Sequence, residues 1–207
     1  VAIMSDLINH LTSVQKDVLK EIGNIGAGNA ATAFAQFLNT RIHMTVPSVT
    51  IVPIEDVPEL TGGIETEVVS VLLKVMGESP GSILLVFSVQ STENLLKMII
   101  DEFDIYQLGE VEVSAIKEIG NILSGSYLNA INQMTGFNLF QSIPAFAFDM
   151  AGAILSSSML SLAENDYALL IETKFINGDE EIEGFFFYIP DPGSLEKILK
   201  SLGFDTQ

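Results

Sequence analysis

The feature that most limits how this chain can fold is an internal duplication. Residues Asp17 to Pro47 align without a gap on Ser114 to Pro144 at a constant offset of 97, and ten of the 31 positions are identical. These are Lys20/Lys117, Glu21/Glu118, Ile22/Ile119, Gly23/Gly120, Asn24/Asn121, Ile25/Ile122, Gly28/Gly125, Ala33/Ala130, Gln36/Gln133 and Pro47/Pro144. The ends of the halves also correspond. Gly81, an apolar run and Ser91-x-Glu93-x-x-Leu96-Lys97 match Gly184, another apolar run and Ser194-x-Glu196-x-x-Leu199-Lys200. A unit written twice must be built twice. The expected fold is therefore α+β: one domain of two pseudo-symmetric halves, about 12–105 and 109–205, sharing one core and a mostly antiparallel sheet.

Each half reads as a long helix, short strands, two longer strands and a closing helix. Period-two patterning and β-branched content predict strands at Ile42–Val46, Val49–Ile54, Glu67–Met76 and Ser82–Val89. In the second half they fall at Leu139–Ile143, Ala145–Phe148, Tyr167–Phe175 and Glu181–Ile189. Ser91 and Ser194 are the expected caps of the closing helices, and Ala151–Ala163 is a further helix candidate. The two leading helices should each run about 25 residues, roughly 38 Å. At 100° per residue Leu19, Ile22, Gly26, Ala30, Ala33 and Phe37 share a core face, repeated as Ile116, Ile119, Leu123, Tyr127, Ala130 and Met134. Asp17, Glu21, Asn24 and Gly28 cluster on nearly the opposite side, as do Ser114, Glu118, Asn121 and Gly125.

Gly26-Ala27-Gly28-Asn29-Ala30-Ala31 fits the G-x-G-x-x-A form of a dinucleotide-binding turn. Its context does not. Such a turn follows a strand, whereas Asp17-Val18-Leu19-Lys20-Glu21 is helix-patterned, and in the repeat Gly26 becomes Leu123 and Ala31 becomes Leu128. The glycines read instead as helix-packing positions at Gly23 and Gly26, with Gly28 giving clearance beside Glu21 and Asn24. What survives duplication is Glu-x-x-Asn, a carboxylate and a carboxamide one turn apart on an exposed face.

Composition narrows the classes. A formal charge of −18 disfavours nucleic acid, whose readers supply Lys and Arg to the phosphates. With no cysteine there is no disulfide, thiolate metal site or cysteine nucleophile. His10 and His43 stand apart and read as surface or strand residues, so no metal site is expected. No apolar run approaches the roughly 20 residues of a membrane helix, and the first residues lack the pattern of a secretory signal. The expectation is a cytoplasmic protein without membrane insertion.

At the duplicated residues the sequence resembles the CheC/CheX/FliY phosphatases of bacterial and archaeal chemotaxis. Their signature is Asp or Ser, three residues, Glu, two residues, Asn, and a Pro just over twenty residues later. Asp17-x3-Glu21-x2-Asn24 with Pro47 fits it, and Ser114-x3-Glu118-x2-Asn121 with Pro144 fits it again. The resemblance implies hydrolysis of the aspartyl phosphate of the response regulator CheY. Asn24 and Asn121 would position water, and Glu21 and Glu118 would pair with the receiver's lysine. Asp17 and Ser114 are motif positions of less defined role, and Pro47 and Pro144 would shape the exit into the strands. No cofactor of its own is implied, because the receiver brings Mg²⁺. The resemblance also implies binding of the receptor deamidase CheD, with Asp149 in Phe148-Asp149-Met150-x-Gly152 as the contact; read from the residues alone, Asp149 is first a helix N-cap. Two other classes stay open at this point: a non-catalytic phospho-CheY-binding or CheD-binding adaptor, and a nucleotide-dependent oxidoreductase built on the glycines.

Overall fold

The computed structural model describes residues 11–38, 43–46, 48–162, 167–177 and 180–204. The first half comprises helix α1 (Ser13–Phe37), strands β1 (His43–Thr45) and β2 (Val49–Pro53), a 3-10 turn (Ile54–Asp56) leading into short helix α2 (Val57–Leu60), strands β3 (Glu67–Met76) and β4 (Gly81–Ser88), and helix α3 (Val89–Lys97). The second half repeats this order as α4 (Glu110–Thr135), β5 (Phe140–Gln141), β6 (Ala145–Met150), α5 (Ala151–Leu162), β7 (Tyr167–Asn177), β8 (Glu180–Pro190) and α6 (Ser194–Ser201).

The two motif helices start in the same repeat register because the same local device starts each. The Thr12 N–H donates to Gln15 Oε1 and the Gly109 N–H donates to Glu112 Oε2, both at 2.8 Å. In each case the side chain at the third helical position reaches back to the residue before the helix. Helix α4 then closes on Gly136, whose φ of 75° is a conformation that glycine adopts without strain.

The described residues form an eight-stranded antiparallel sheet ordered β1-β7-β8-β4-β3-β5, with β2 also beside β7 and β6 also beside β3. The halves exchange their edge strands. β1 and β2 of the first half pair with β7 of the second, while β5 and β6 of the second pair with β3 of the first. The halves meet at β4 and β8, where Gly81 pairs with Pro190 and its repeat counterpart Gly184 pairs with Phe87. A Cβ at Gly184 would lie 2.4 Å from the Phe87 ring, and one at Gly81 2.5 Å from the Ile189 carbonyl oxygen. Both glycines permit this close pairing at mirrored points of the register.

Alternation along the long strands creates two apolar layers. Val69, Val71, Leu73, Ile83, Leu85, Phe87, Ile171 and Phe186 face α1, α4 and the closing helices. Val68, Leu84, Val86, Leu170, Phe187 and Ile189 face the smaller cluster that includes Ile54, Val57, Ile154 and Leu155. A sheet buried on both faces has near-continuous apolar strands, as Gly81–Phe87, buried throughout, illustrates.

Several sequence expectations need correction. The apolar stripe of α1 ends on Phe34, fully buried edge-on against the Phe175 ring at 5.4 Å, whereas Phe37 is 39% exposed and Ala33 and Met134 are half-buried. Phe37 is the last residue of α1, where the core covers the stripe only in part, Leu38 and Met134 packing against its edge. Ser91 is not the cap of α3: Ser88 is, its Oγ accepting from the Ser91 N–H at 3.0 Å. Ser194 is the first residue of α6, preceded by Gly193 at φ 81°. Asp149 is not an N-cap either. It lies in β6 opposite Val68, and the first amides of α5, Ala151 and Gly152, donate instead to the carbonyls of Thr66 and Ile64.

Two tyrosines lie deep in this fold. The Tyr127 and Thr173 hydroxyls are hydrogen-bonded at 3.2 Å, and the Tyr188 hydroxyl donates to the Ser79 carbonyl at 3.1 Å. Burial pushes both phenols up to about 12, the Thr173 hydroxyl and, for Tyr188, the Ser79 hydroxyl at 3.4 Å offsetting part of the effect, while the Asp191 charge adds to it for Tyr188. Both folded values lie above the unfolded one, about 10. Their contribution to stability is therefore complete below about pH 10 and is lost as pH rises to about 12. Denaturant midpoints measured across this window should fall, and Tyr127→Phe should reduce the slope by about one proton.

Candidate functional site

Helix α1 carries Val14, Asp17, Glu21, Asn24 and Gly28 in one line along its solvent side, at alternating steps of three and four residues, and all five are exposed. Helix α4 repeats the line with Val111, Ser114 and Glu118 exposed, and Asn121 and Gly125 half-buried. Val14 and Val111, 57% and 67% exposed, lie three residues ahead of the duplicated stretch and are not among the residues the motif names. The signal was present, since they too stand 97 residues apart. They extend each polar line by one apolar side chain at its N-terminal end.

The opposite faces of the helices hold these lines in place. A Cβ at Gly26 would meet the Tyr127 ring at 2.3 Å, so the missing side chain is what lets Tyr127 pack across α1. Gly120 similarly lies against Val71 of β3, where a Cβ would come within 2.6 Å. Gly28 has nothing within 4 Å of where its Cβ would stand, which leaves open space beside Asn24. Gly26-Ala27-Gly28 thus lies in mid-helix, with its amides in the helical ladder and Gly26 closed off by an aromatic ring. No phosphate cradle exists there, because a cradle needs amides that are free to point at the ligand.

The two lines differ at the asparagine. No side-chain hydrogen bond within the described residues engages Asn24, and Asp17, Glu21, Ser114 and Glu118 are equally unengaged. Asn121 is held. Gln141 Nε2 donates to the Asn121 carbonyl oxygen at 2.9 Å and also to its Oδ1. The Gln141 amide lies 3.7 Å from where a Cβ of Gly125 would stand, which explains why that half of the line is covered. The repeat counterpart of Gln141 is Met44.

Pro144 sits in the link between β5 and β6. Gln141 pairs with Val75 and Ala145 with Leu72, so four steps on the edge strand oppose three on β3. This is a one-residue bulge, a position where a missing N–H costs no ladder bond. The Ser142 N–H donates to the Lys74 carbonyl at 2.8 Å and carries the pairing into it. The same excess of one residue separates Thr45, opposite Lys174, from Val49, opposite Ile171. Pro47 and His10 lie outside the described residues. His43 is exposed in β1. Asp149 is exposed, its Oδ1 accepting from the Met150 N–H at 2.8 Å.

Among the described residues no three His, Cys, Asp or Glu side chains gather as metal ligands. No helix there is long and apolar enough to cross a membrane. What the arrangement offers chemically is an exposed carboxamide at Asn24 and a half-buried, held one at Asn121. Each has both donor and acceptor capacity and a carboxylate one turn away.

The fold, a two-fold repeated α+β domain, is shared with solved structures. FliY of Thermotoga maritima superposes with a TM-score of 0.77 at 22% identity, covering 93% of this chain and 98% of that one. Residues 14–51 and 111–144 match the model of the CheC-like family. The chain is 34% identical over 204 residues to the CheY-P phosphatase CheC of Bacillus subtilis, spanning 95% of this chain and 98% of that one. It is also 29% identical over 122 residues to the flagellar motor switch phosphatase FliY of the same organism, covering 58% of this chain and 32% of that longer one. The chain belongs to the CheC-like family.

Proposed function

We propose that this chain is a hydrolase that removes the aspartyl phosphate of the receiver protein CheY, using Asn24 and Asn121 to steer water. The reading is carried by one observation: Glu-x-x-Asn stands on the solvent side of both motif helices, with open space beside Asn24, in a chain similar along its length to a CheY-P phosphatase. An amide cannot take a proton near neutral pH, but it can hold a water in line with phosphorus. Water oxygen then bonds to phosphorus as the bond to the receiver's aspartate oxygen breaks, giving inorganic phosphate and a free carboxylate. The phosphoryl charge is met by the receiver's own Mg²⁺ and lysine, so this chain supplies placement.

In this scheme Glu21 and Glu118 pair with the receiver's lysine and fix register. The exposed Val14 and Val111 lie on the same lines and supply apolar contact to the docked receiver. The work is cytoplasmic, where CheY operates. CheD binds through a surface that includes exposed Asp149, away from the motif positions in sequence.

The test follows phosphate release from phosphorylated CheY with Mg²⁺ present, with and without this protein. Acceleration is expected. The pair Glu21→Ala with Glu118→Ala should raise KM about tenfold while changing kcat less, as expected for loss of a charge-assisted docking contact. If phospho-CheY binds but loses phosphate no faster, the chain is the adaptor and not the hydrolase.

A further inference from the structure

The two sites are not chemically equivalent, and Gln141 is the reason. Its Nε2 faces two acceptors on Asn121, the main-chain carbonyl at 2.9 Å and Oδ1. That arrangement fixes both amides. Turning Gln141 over would set its oxygen against two oxygens, and turning Asn121 over would set N–H against N–H. The Gln141 Oε1 is buried with no partner, so the glutamine forgoes one hydrogen bond of its own in this pose. Strand β5 anchors it through the pairing of Gln141 with Val75. At the matching place in the first half stands Met44, whose side chain has no N–H to offer, and Asn24 is unengaged among the described residues.

We propose that Gln141 is a positioning residue that restrains the second site, making the first the faster of the two. With one lone pair of its Oδ1 taken by Gln141 and the amide plane fixed, Asn121 offers a docked receiver chiefly its Nδ2 hydrogens. A water that receives a hydrogen bond from Nδ2 has one lone pair tied up. A water that donates to a free Oδ1, as Asn24 allows, keeps both lone pairs for phosphorus. The same carboxamide thus holds a weaker nucleophile in the second half than in the first.

This inference rests on the hydrolase reading above, and its test separates the two. Asn24→Ala leaves the second site as the sole reporter. Adding Gln141→Met, the residue the first half uses, should raise kcat about fivefold with KM for phosphorylated CheY unchanged, the scale of one hydrogen bond. The reciprocal Met44→Gln in an Asn121→Ala background should lower kcat by a similar factor. A kcat that stays level or falls on adding Gln141→Met overturns the restraint. So does a joint movement of kcat, KM and Tm, which would mark Gln141 as merely structural. If the unmodified chain accelerates nothing, the hydrolase reading fails; if it does and only the Gln141 and Met44 changes are silent, this inference alone fails.

Discussion

The variant carrying both Asn24→Ala and Asn121→Ala is expected to keep its fold and its affinity for phosphorylated CheY while accelerating phosphate release at no more than about a hundredth of the wild-type rate. Asn24 is exposed and Asn121 half-buried, both in helix interiors where alanine is the better helix former and neither in the core, so the substitutions leave the core intact. What disappears is the placement of water in line with phosphorus, which no neighbouring side chain can replace. The kinetics of the single variants sharpen the result. Two sites working in parallel add their rates, so each single variant forfeits only its own site's share. The double variant forfeits both. Asn24→Ala should therefore cost more activity than Asn121→Ala if Gln141 restrains the second site. Single-turnover phosphate release on the three variants, with binding measured separately, decides the matter. A double variant with wild-type turnover would mean that the asparagines do not steer water at all.

The second large effect is on stability. Gly26→Leu should lower the free energy of unfolding by about 3 kcal/mol, because the new Cβ would stand 2.3 Å from the Tyr127 ring, closer than packed atoms can approach, and the rest of the side chain overlaps it further. Tyr127 is 1% exposed, hydrogen-bonded to Thr173 and packed on Phe186 at a centroid distance of 4.3 Å. Replacing a helical glycine returns only about 1 kcal/mol. Tyr127→Ala alone should also cost about 3 kcal/mol by opening a cavity. The repeat suggests the remedy. The counterparts of Gly26 and Tyr127 are Leu123 and Ala30, both buried, with large and small exchanged. The double variant Gly26→Leu with Tyr127→Ala should thus be less destabilised than the sum of the singles. Urea unfolding of the three proteins measures that coupling. Strict additivity would show that the glycine and the ring do not share one space.

Much of this protein could be read locally. Helix length, the outward Asp/Ser-Glu-Asn lines and the long strands follow from periodicity, and periodicity is set by neighbours a few residues away. The starts of both helices are equally local, since a side chain three residues on caps each. Duplication then gave the asparagines their weight, because the halves diverge at most other positions.

The failures were also local rules, overridden by distant partners. Asp149 has the composition of an N-cap, but the Ile64–Thr66 turn, more than 80 residues away, supplies acceptors to the helix amides first. Phe37 keeps the right phase but ends its helix, where the core no longer covers it. Gln141 carries no motif. It became part of the site only when β5 docked on β3 and brought an amide donor 20 residues along the chain to Asn121.

The sequence by itself determined the repeat, the two helices and which of their faces meets water, because each depends on contacts within one or two turns. Only the tertiary structure decided that the halves trade edge strands, that Gly26 is filled by Tyr127, and that one asparagine is held while its twin is free. Those outcomes depend on pairings between segments far apart in the chain, and no local pattern of residue types encodes which distant partner will arrive.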